Sequence, residues 1–353
     1  MKLLEKTLQQ IEPQSATSRA AARQRLEQLT MPHWALGRVL DLAEDLAGMT
    51  GSMHPLVGRK TLVIMAADHG VAASGVSQFP QEVTVQMVHN FVNGGAGANA
   101  LARLAGARVV VVDVGVAGDL GDLVSAGKIV SKRIAPGTAN MVSGPAMTRE
   151  HAVATIEAGI ETAHELSDST DVFAAGEMGI GNTTPSSAIV AALTGKEVEE
   201  MTGRGTGIDD ARLQNKIAVI KESLRVNQPD PNDALDVLSK VGGFEIGALA
   251  GLILGAAALR KPVLVDGFIT TAAALIAQGL CPAAAEYMIA AHASVEPGHV
   301  AACRKLGKHP LLHLNLRLGE GTGACLAMNV VEAAVRVLTE VATFGEASVS
   351  TGG

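Results

Sequence analysis

Aromatic residues, cysteines and runs of basic residues are scarce in this chain of 353 residues. It has one Trp, one Tyr and a net charge of −7, which argues against a nucleic-acid surface. The three cysteines, Cys281, Cys303 and Cys325, are odd in number and lack C-x-x-C spacing. We therefore expect reduced thiols, as small core residues of a cytoplasmic protein, and neither disulfides nor zinc ligands.

Long hydrophobic runs and metal motifs are also missing. The most apolar stretch, residues 246–259, is about six residues shorter than the roughly 20 that span a bilayer, so it predicts a buried helix and no membrane partner. A second charge follows too early at the N-terminus for a signal peptide, so export is not expected. Without H-E-x-x-H, a Cys/His cluster or G-x-S-x-G, the sequence predicts no metal, no cofactor and no covalent nucleophile.

The composition, 48% hydrophobic and 18% charged, is enough to bury a large core. Along most of the chain, short apolar runs are followed by glycines and then by a helical pattern. Continuous apolar strands separated by helices predict an α/β fold, a Rossmann-like, mostly parallel sheet with helices on both faces. Ligand-binding groups are then expected at the carboxyl ends of the strands. The predicted strands are 61–66, 108–114, 171–175, 262–266 and 287–291.

Both ends of the chain have helical periodicity. Residues 1–46 predict helices, one of them starting at Pro32. A final helix is expected from Thr322 to about Ala342, returning to the N-terminal helices. We therefore predict a small helical domain from residues 1–55 and 330–353, and a large α/β catalytic domain from residues 56–329.

The most informative segment is the glycine-rich run from Gly176 to Thr184, which encloses Glu177. Thr184 as N-cap and Pro185 as first helical residue predict a helix through Ala192. Backbone N–H groups in such a turn, together with the helix dipole, favour an anion such as a phosphate. The spacing, G-x-x-G-x-G, is neither the dinucleotide fingerprint nor the P-loop. A purely structural glycine turn is the alternative, which the ionisable Glu177 disfavours.

Two further glycine-rich segments have similar character. In residues 317–324, glycines on both sides of Glu320 would let its carboxylate meet a flat ligand, although the acid could merely favour the following helix N-terminus. Residues 201–207 are another candidate anion loop. The helix predicted after Asp209 contains Lys216, which could complete a phosphate site as a point charge or simply lie on the surface.

Polar residues also follow several predicted strands. Any one of them would more often be a cap or a loop hydrogen-bonder than a catalyst. Because parallel strands bring their carboxyl ends to one edge, several together favour a site there. These residues are Asp68, His69, Asp113, Glu177, Asp266, His292 and Ser294.

Two functional alternatives stay open on the residues alone. One is a nucleotide-binding or regulatory module that uses the loops at Gly176 and Gly203 without catalysis. The other is a redox enzyme, because residues 95–100 match G-x-G-x-x-G/A. Residues 83–92, which precede that match, predict a helix where the fingerprint needs a strand. We therefore interpret the match as chance.

Five segments together resemble the nicotinate-nucleotide:dimethylbenzimidazole phosphoribosyltransferase family, in chain order and over most of the sequence. They are residues 67–70, 79–84, 176–184, 203–207 and 317–323. The resemblance implies transfer of phosphoribose from nicotinate mononucleotide to 5,6-dimethylbenzimidazole, giving nicotinate and α-ribazole 5'-phosphate in nucleotide-loop assembly of cobalamin. It also implies a homodimer.

The resemblance further implies roles for individual residues. Glu320 would be the base that removes a proton from the acceptor, and Glu177 is the second candidate. The implied donor contacts are Gly179, Gly205 and Lys216 for the phosphate, and Gly267, Ser294 and Gly323 for nicotinate. The implied acceptor pocket consists of Phe79, Gln86, Met87 and Leu318, with Glu320. Some members have Ser-Pro at Phe79-Pro80, which leaves the preferred base open, and Phe79 and Met87 could instead be plain core residues.

Overall fold

The computed structural model describes residues 3–350 and is built around one six-stranded sheet. The strand order is β3-β2-β1-β4-β5-β6, and every neighbouring pair is parallel. This order is the one typical of Rossmann folds, so the predicted fold class is confirmed. The strands are β1 (Lys60–Ala67), β2 (Ala107–Gly115), β3 (Val130–Ser131), β4 (Val172–Met178), β5 (Val263–Val265) and β6 (Met288–Ala290).

All five predicted strands are present, with two differences. Strand β3 was not predicted, because a strand of two residues at the sheet edge is too short to give a pattern. The predicted end of β4 was too early, since Gly176, Glu177 and Met178 pair with β1 and belong to the strand. The glycine-rich turn therefore begins only at Gly179, and Glu177 lies on extended backbone.

Helices cover both faces of the sheet. They are α1 (Leu3–Gln10), α2 (Ala16–Leu26), α3 (Arg38–Thr50), α4 (Val83–Val92), α5 (Gly97–Ala105), α6 (Gly121–Ser125), α7 (Arg149–Leu166), α8 (Thr183–Thr194), α9 (Val198–Met201), α10 (Asp210–Asn227), α11 (Ala234–Val241), α12 (Phe244–Ala258), α13 (Phe268–Leu280), α14 (Pro297–Leu306), α15 (Thr322–Glu340) and α16 (Phe344–Ala347).

Several helix predictions can now be compared with the structure. The predicted helix at 83–92 is α4, so residues 95–100 follow a helix, as expected for a chance match. The N-cap of α8 is Asn182, not Thr184, and Pro185 is the third helical residue, not the first. Helix α3 begins at Arg38 and not near Pro32.

Helix α12 lies in the centre of the core, and all but its last residue are buried. Glycines allow its close packing against α7: a Cβ built on Gly251 would be 1.9 Å from the Ile156 carbonyl oxygen, and one on Gly159 would be 1.9 Å from that of Ala248. Because α12 is packed closely in the core, its first turn can present the side chain of Glu245 to the carboxyl edge of the sheet.

The final helix, α15, packs against α3 and α5, which confirms its predicted return to the N-terminal helices. Among residues 3–350, α15 is also the one helix long and apolar enough to cross a membrane, but about half of it is buried within the fold, as in a core helix. Helix α1 packs instead on α7 and α12, which belong to the predicted large domain. The division into two domains stays a prediction.

Candidate active site

The polar residues that follow the strands meet at one edge of the sheet, as predicted. Asp68, His69, Glu177, Asp266 and His292 are all buried there. Backbone groups connect this edge to the loop before α15 and to the first turn of that helix, because the N–H of Glu320 donates to Glu177 and that of Ala324 donates to Asp266. The convergence arises because β1, β4, β5 and β6 are parallel and neighbouring.

Asp113 instead makes local hydrogen bonds, since its carboxylate accepts from the N–H groups of Gly115 and Val116 at the end of β2. The structural alternative, a local hydrogen-bonder and not a catalyst, is therefore correct for Asp113. Asp209, which precedes the helix containing Lys216, caps α10 by accepting from the Arg212 N–H.

Glu177 has both carboxylate oxygens engaged. Its Oε1 accepts the backbone N–H of Glu320 at 3.1 Å, and its Oε2 accepts from the side-chain amide of Asn182. Burial raises the pKa of Glu177 to about 8, against the opposing effect of these two hydrogen bonds. Glu177 thus connects the end of β4, the start of α8 and the loop before α15.

Glu320 lies on strained backbone. Its φ is +61°, and its neighbours Gly319 and Gly321 have φ of +83° and +86°. Left-handed backbone costs a non-glycine residue about 1–3 kcal/mol and is characteristic of functional sites. Side chains on the flanking residues would not fit, because a Cβ on Gly319 would be 2.3 Å from Glu177 Oε1 and one on Gly321 would be 2.3 Å from Leu62.

The carboxylate of Glu320 is held more loosely than that of Glu177. Its Oε2 accepts the Ala98 N–H at 3.4 Å, a long hydrogen bond, from the first turn of α5. Burial raises the pKa of Glu320, the Ala98 N–H opposes this, and the charge of Asp266 adds to it. Within residues 3–350, no donor is paired with Oε1 of Glu320. The segment around Gly97, which matches a dinucleotide-binding pattern by chance, thus contributes a hydrogen bond to the Glu320 carboxylate.

Lys216 is fully buried at the loop that contains Gly203 and Gly205. Its ammonium donates to Thr183 Oγ1 at 2.7 Å and to the Gly203 carbonyl at 3.2 Å. Burial lowers the pKa of Lys216 to about 8, while the charge of Glu296 opposes the decrease. The surface-lysine alternative is wrong. Since an ammonium has three N–H donors, one is left for a ligand.

Glu296 is a site residue that the sequence analysis missed. Its Oε1 accepts the Gly205 N–H at 3.0 Å, at the loop predicted to bind phosphate. An acid before the helix-starting Pro297 looks like an ordinary first-turn acid. Nothing local in the sequence indicates that it faces a glycine loop 91 residues earlier.

His69 is paired with Glu245, a second residue that the sequence analysis missed. The two side chains are buried, with His69 Nε2 2.8 Å from Glu245 Oε1. Burial opposes protonation of the imidazole, but the charge and hydrogen bond of Glu245 hold the pKa of His69 above its usual value. A Cβ on Gly179 would be 3.0 Å from His69 Nε2, so this pair supports the glycine-rich turn from below. A lone acid in the apolar start of α12 was the available signal.

The three residues predicted to bind nicotinate lie around one histidine. A Cβ built on Gly323 would be 2.0 Å from His292 Cδ2, and one on Gly267 would be 3.0 Å from His292 Nε2 and 3.9 Å from Ser294 Cβ. His292 is buried, and neither ring nitrogen has a hydrogen-bond partner among the described residues. The structure therefore brings Gly267, Ser294 and Gly323 together.

The predicted acceptor pocket is more open. Phe79 and Leu318 are 47% and 60% exposed, so Phe79 is not a plain core residue. Met87 packs partly against the core from α4, and Gln86 is exposed on the same helix. Leu318 approaches Gly97, which places it beside the carboxylate of Glu320.

The cysteines are free, as expected, and Cys303 and Cys325 are buried. Burial raises the pKa of both thiols to about 12. Because the thiolate is the reactive form, burial disfavours reaction of these two thiols at neutral pH.

Known proteins that resemble this chain identify its family. Residues 11–349 match a family model described as phosphoribosyltransferase. The protein is thus an enzyme of the phosphoribosyltransferase class, built on a Rossmann-like sheet. It is 64% identical to the nicotinate-nucleotide–dimethylbenzimidazole phosphoribosyltransferase of Syntrophotalea carbinolica, over 100% of both chains. The chain belongs to the nicotinate-nucleotide–dimethylbenzimidazole phosphoribosyltransferase family, which confirms the resemblance.

Other relatives give the same result. The enzyme of that name from Desulfotalea psychrophila is 57% identical over 99% of each chain. The crystal structure of the Thermus thermophilus enzyme is 43% identical, with a TM-score of 0.90, over 96% of this chain and 100% of that one. A crystal structure of CobT from the same organism has a TM-score of 0.91 at 45% identity, over 95% of this chain and 100% of that one.

Proposed function

We propose that this enzyme transfers phosphoribose from nicotinate mononucleotide to 5,6-dimethylbenzimidazole, forming α-ribazole 5'-phosphate and nicotinate in cobalamin nucleotide-loop assembly. The name of its relatives supports this reaction. The observation that carries it is the pair of buried glutamates at the switch point between β1 and β4, with Glu320 free to accept a proton. The buried ammonium of Lys216 supplies the complementary phosphate end.

The glycosidic bond of the donor needs little help to break, because its leaving group is a cationic pyridinium. The bonding electrons pass to the ring nitrogen, and neutralise it, as nicotinate departs. A ring nitrogen of the benzimidazole attacks the anomeric carbon from the opposite face. The reaction is then a single displacement with inversion, without an acid on the leaving nitrogen.

The acceptor would be left cationic by this attack, since its other ring nitrogen still bears a proton. Glu320 would take that proton, and the neutral α-ribazole product follows. Its raised pKa suits a base that works near neutral pH. Glu177, the second candidate, has its oxygens occupied by Asn182 and by the Glu320 N–H, which supports a role in positioning Glu320.

The family resemblance implies the substrate contacts. The phosphate would lie against Gly179, Gly205 and Lys216, and the nicotinate carboxylate against Ser294 and the backbones of Gly267 and Gly323. The acceptor ring would lie among Phe79, Gln86, Met87 and Leu318, beside Glu320. The exposure of Phe79 and Leu318 leaves apolar surface for a flat aromatic ligand.

The reaction is tested by incubating the enzyme with nicotinate mononucleotide and dimethylbenzimidazole and measuring both products by chromatography. We expect equal amounts of nicotinate and α-ribazole 5'-phosphate, and no nicotinate without the acceptor. Binding of the donor without turnover would contradict the proposal and favour the non-catalytic module, which the comparisons do not support.

We further propose that the enzyme is a cytoplasmic homodimer with a small helical domain of residues 1–55 and 330–353. The family resemblance supports the dimer, and apolar side chains such as Leu36, Leu56 and Leu104 are exposed in one chain. Sedimentation analysis would give twice the 36.1 kDa of one chain. A concentration-independent monomer would contradict it.

A further inference from the structure

The glycine loop around Gly203 and Gly205 already holds an anion, the carboxylate of Glu296. This residue is 8% exposed and directly precedes α14. Its Oε1 accepts the Gly205 N–H at 3.0 Å, and a Cβ built on Gly203 would be 2.0 Å from its Oε2. Backbone N–H groups of glycine loops are the donors that phosphate oxygens use. The carboxylate and a phosphate therefore need the same donor.

The second oxygen of Glu296 points to a ligand-dependent rearrangement. Oε2 is buried, and the described residues offer it no hydrogen-bond partner. A buried carboxylate oxygen without a donor costs free energy. The nearby ammonium of Lys216 attracts Glu296 but donates its hydrogen bonds to Thr183 and the Gly203 carbonyl. Glu296 is thus held in the loop by one N–H and by charge, and it forms no ion pair with any residue from 3 to 350.

We propose that Glu296 occupies part of the donor-phosphate subsite in the substrate-free enzyme and leaves the Gly205 N–H when the phosphate binds. This inference rests on the proposed function, which places the phosphate at this loop. In both states Lys216 has one anion beside it, so the exchange leaves no buried charge without a partner. The Glu296 N–H donates to Ser294 Oγ at 3.3 Å, so the movement would also reach the proposed nicotinate subsite.

The exchange predicts that Glu296 weakens phosphate binding, the opposite of what a structural support would do. In Glu296→Gln the side chain keeps an oxygen for the Gly205 N–H but loses its charge. We expect the Kd of inorganic phosphate, measured by calorimetry, to fall roughly 3- to 10-fold, tenfold being about 1.4 kcal/mol. Glu296→Ala should change it in the same direction. Glu200→Gln, at an exposed position of α9, removes a charge near the loop without touching Gly205 and should have no effect.

A donor without phosphate separates this role from a contact with the ribose. We expect nicotinate riboside to bind wild type and Glu296→Gln equally, while nicotinate mononucleotide binds the variant more tightly. Weaker binding of both donors to the variant would show a ribose contact and overturn the exchange. The exchange would also be overturned if Glu296→Gln bound inorganic phosphate no more tightly than wild type, or if no binding could be detected. These titrations need no turnover, so a failure of the proposed reaction would be seen separately, as absent nicotinate release by wild type.

Discussion

The two buried glutamates at the carboxyl edge of the sheet differ in the backbone that carries them. Glu177 lies on the extended end of β4, with both oxygens hydrogen-bonded. Glu320 lies in left-handed conformation between two glycines, with one long hydrogen bond. Glu177 is fixed by its hydrogen bonds, and it holds Glu320 by accepting the backbone N–H of that residue. Two similar sequence motifs thus hold their acids differently, which supports the proposed division into a positioning residue, Glu177, and a base, Glu320.

The largest test of this difference removes the ionisable group from Glu320. Glu320→Gln keeps the shape of the side chain but cannot accept the acceptor's proton. We expect kcat to fall by about 10²- to 10⁴-fold, the usual range for general-base catalysis, with the KM of nicotinate mononucleotide nearly unchanged. Steady-state kinetics of nicotinate release measure both constants.

A matched control lies at the far end of α15, the helix that follows Glu320. Glu340→Gln removes an exposed carboxylate from the end of α15 and should behave as wild type. If Glu320→Gln keeps its full rate while Glu177→Gln loses it, the two roles are reversed.

The sheet and the convergence of its polar residues could be predicted from the sequence because buried parallel strands are continuous apolar runs. The end of β4 could not. Gly176 and Glu177 look like a turn, and only hydrogen bonding to β1 keeps them extended. The edge strand β3 was missed because its two residues depend on pairing with β2.

The site was predicted in part, for a similar physical reason. Glycine-framed acids and a glycine loop are local signals, so Glu320, Glu177 and Gly205 could be found. Glu245 and Glu296 could not be assigned, since their meaning depends on partners 176 and 91 residues away along the chain. The buried state of Lys216 likewise comes from packing of α10 against α8.

A smaller effect is expected from adding a side chain at Gly176, where the backbone of β4 lies against the backbone of Glu320. A Cβ on Gly176 would be 2.7 Å from the Glu320 carbonyl oxygen, so Gly176→Ala should push the Glu320 loop outward. We expect kcat to fall about tenfold and stability to fall by about 1–3 kcal/mol, as for overpacked sites. Kinetics and thermal unfolding measure the two effects.

Gly345 gives the control for that substitution, because nothing lies within 4 Å of a Cβ built there. Gly345→Ala should leave kcat unchanged. A wild-type rate in Gly176→Ala would mean that the placement of Glu320 tolerates movement of its backbone.

The smallest effect concerns the pH dependence of stability and distinguishes the two acids by titration. Burial raises the pKa of Glu177 to about 8, so the folded protein keeps a proton that the unfolded chain releases above about pH 4.3. The stabilisation from this proton is complete at low pH and is lost as the pH rises through 8. Glu177→Gln cannot titrate, so wild type should lose stability relative to it between pH 5.5 and pH 8, by at least about 1 kcal/mol. Urea unfolding at the two pH values measures this difference, and a constant offset would mean that Glu177 ionises normally in the folded state. Relative to Glu320→Gln, wild type should also lose stability as the pH rises, but by less. Only part of the Glu320 carboxylate is enclosed, and the Ala98 N–H opposes the increase in its pKa.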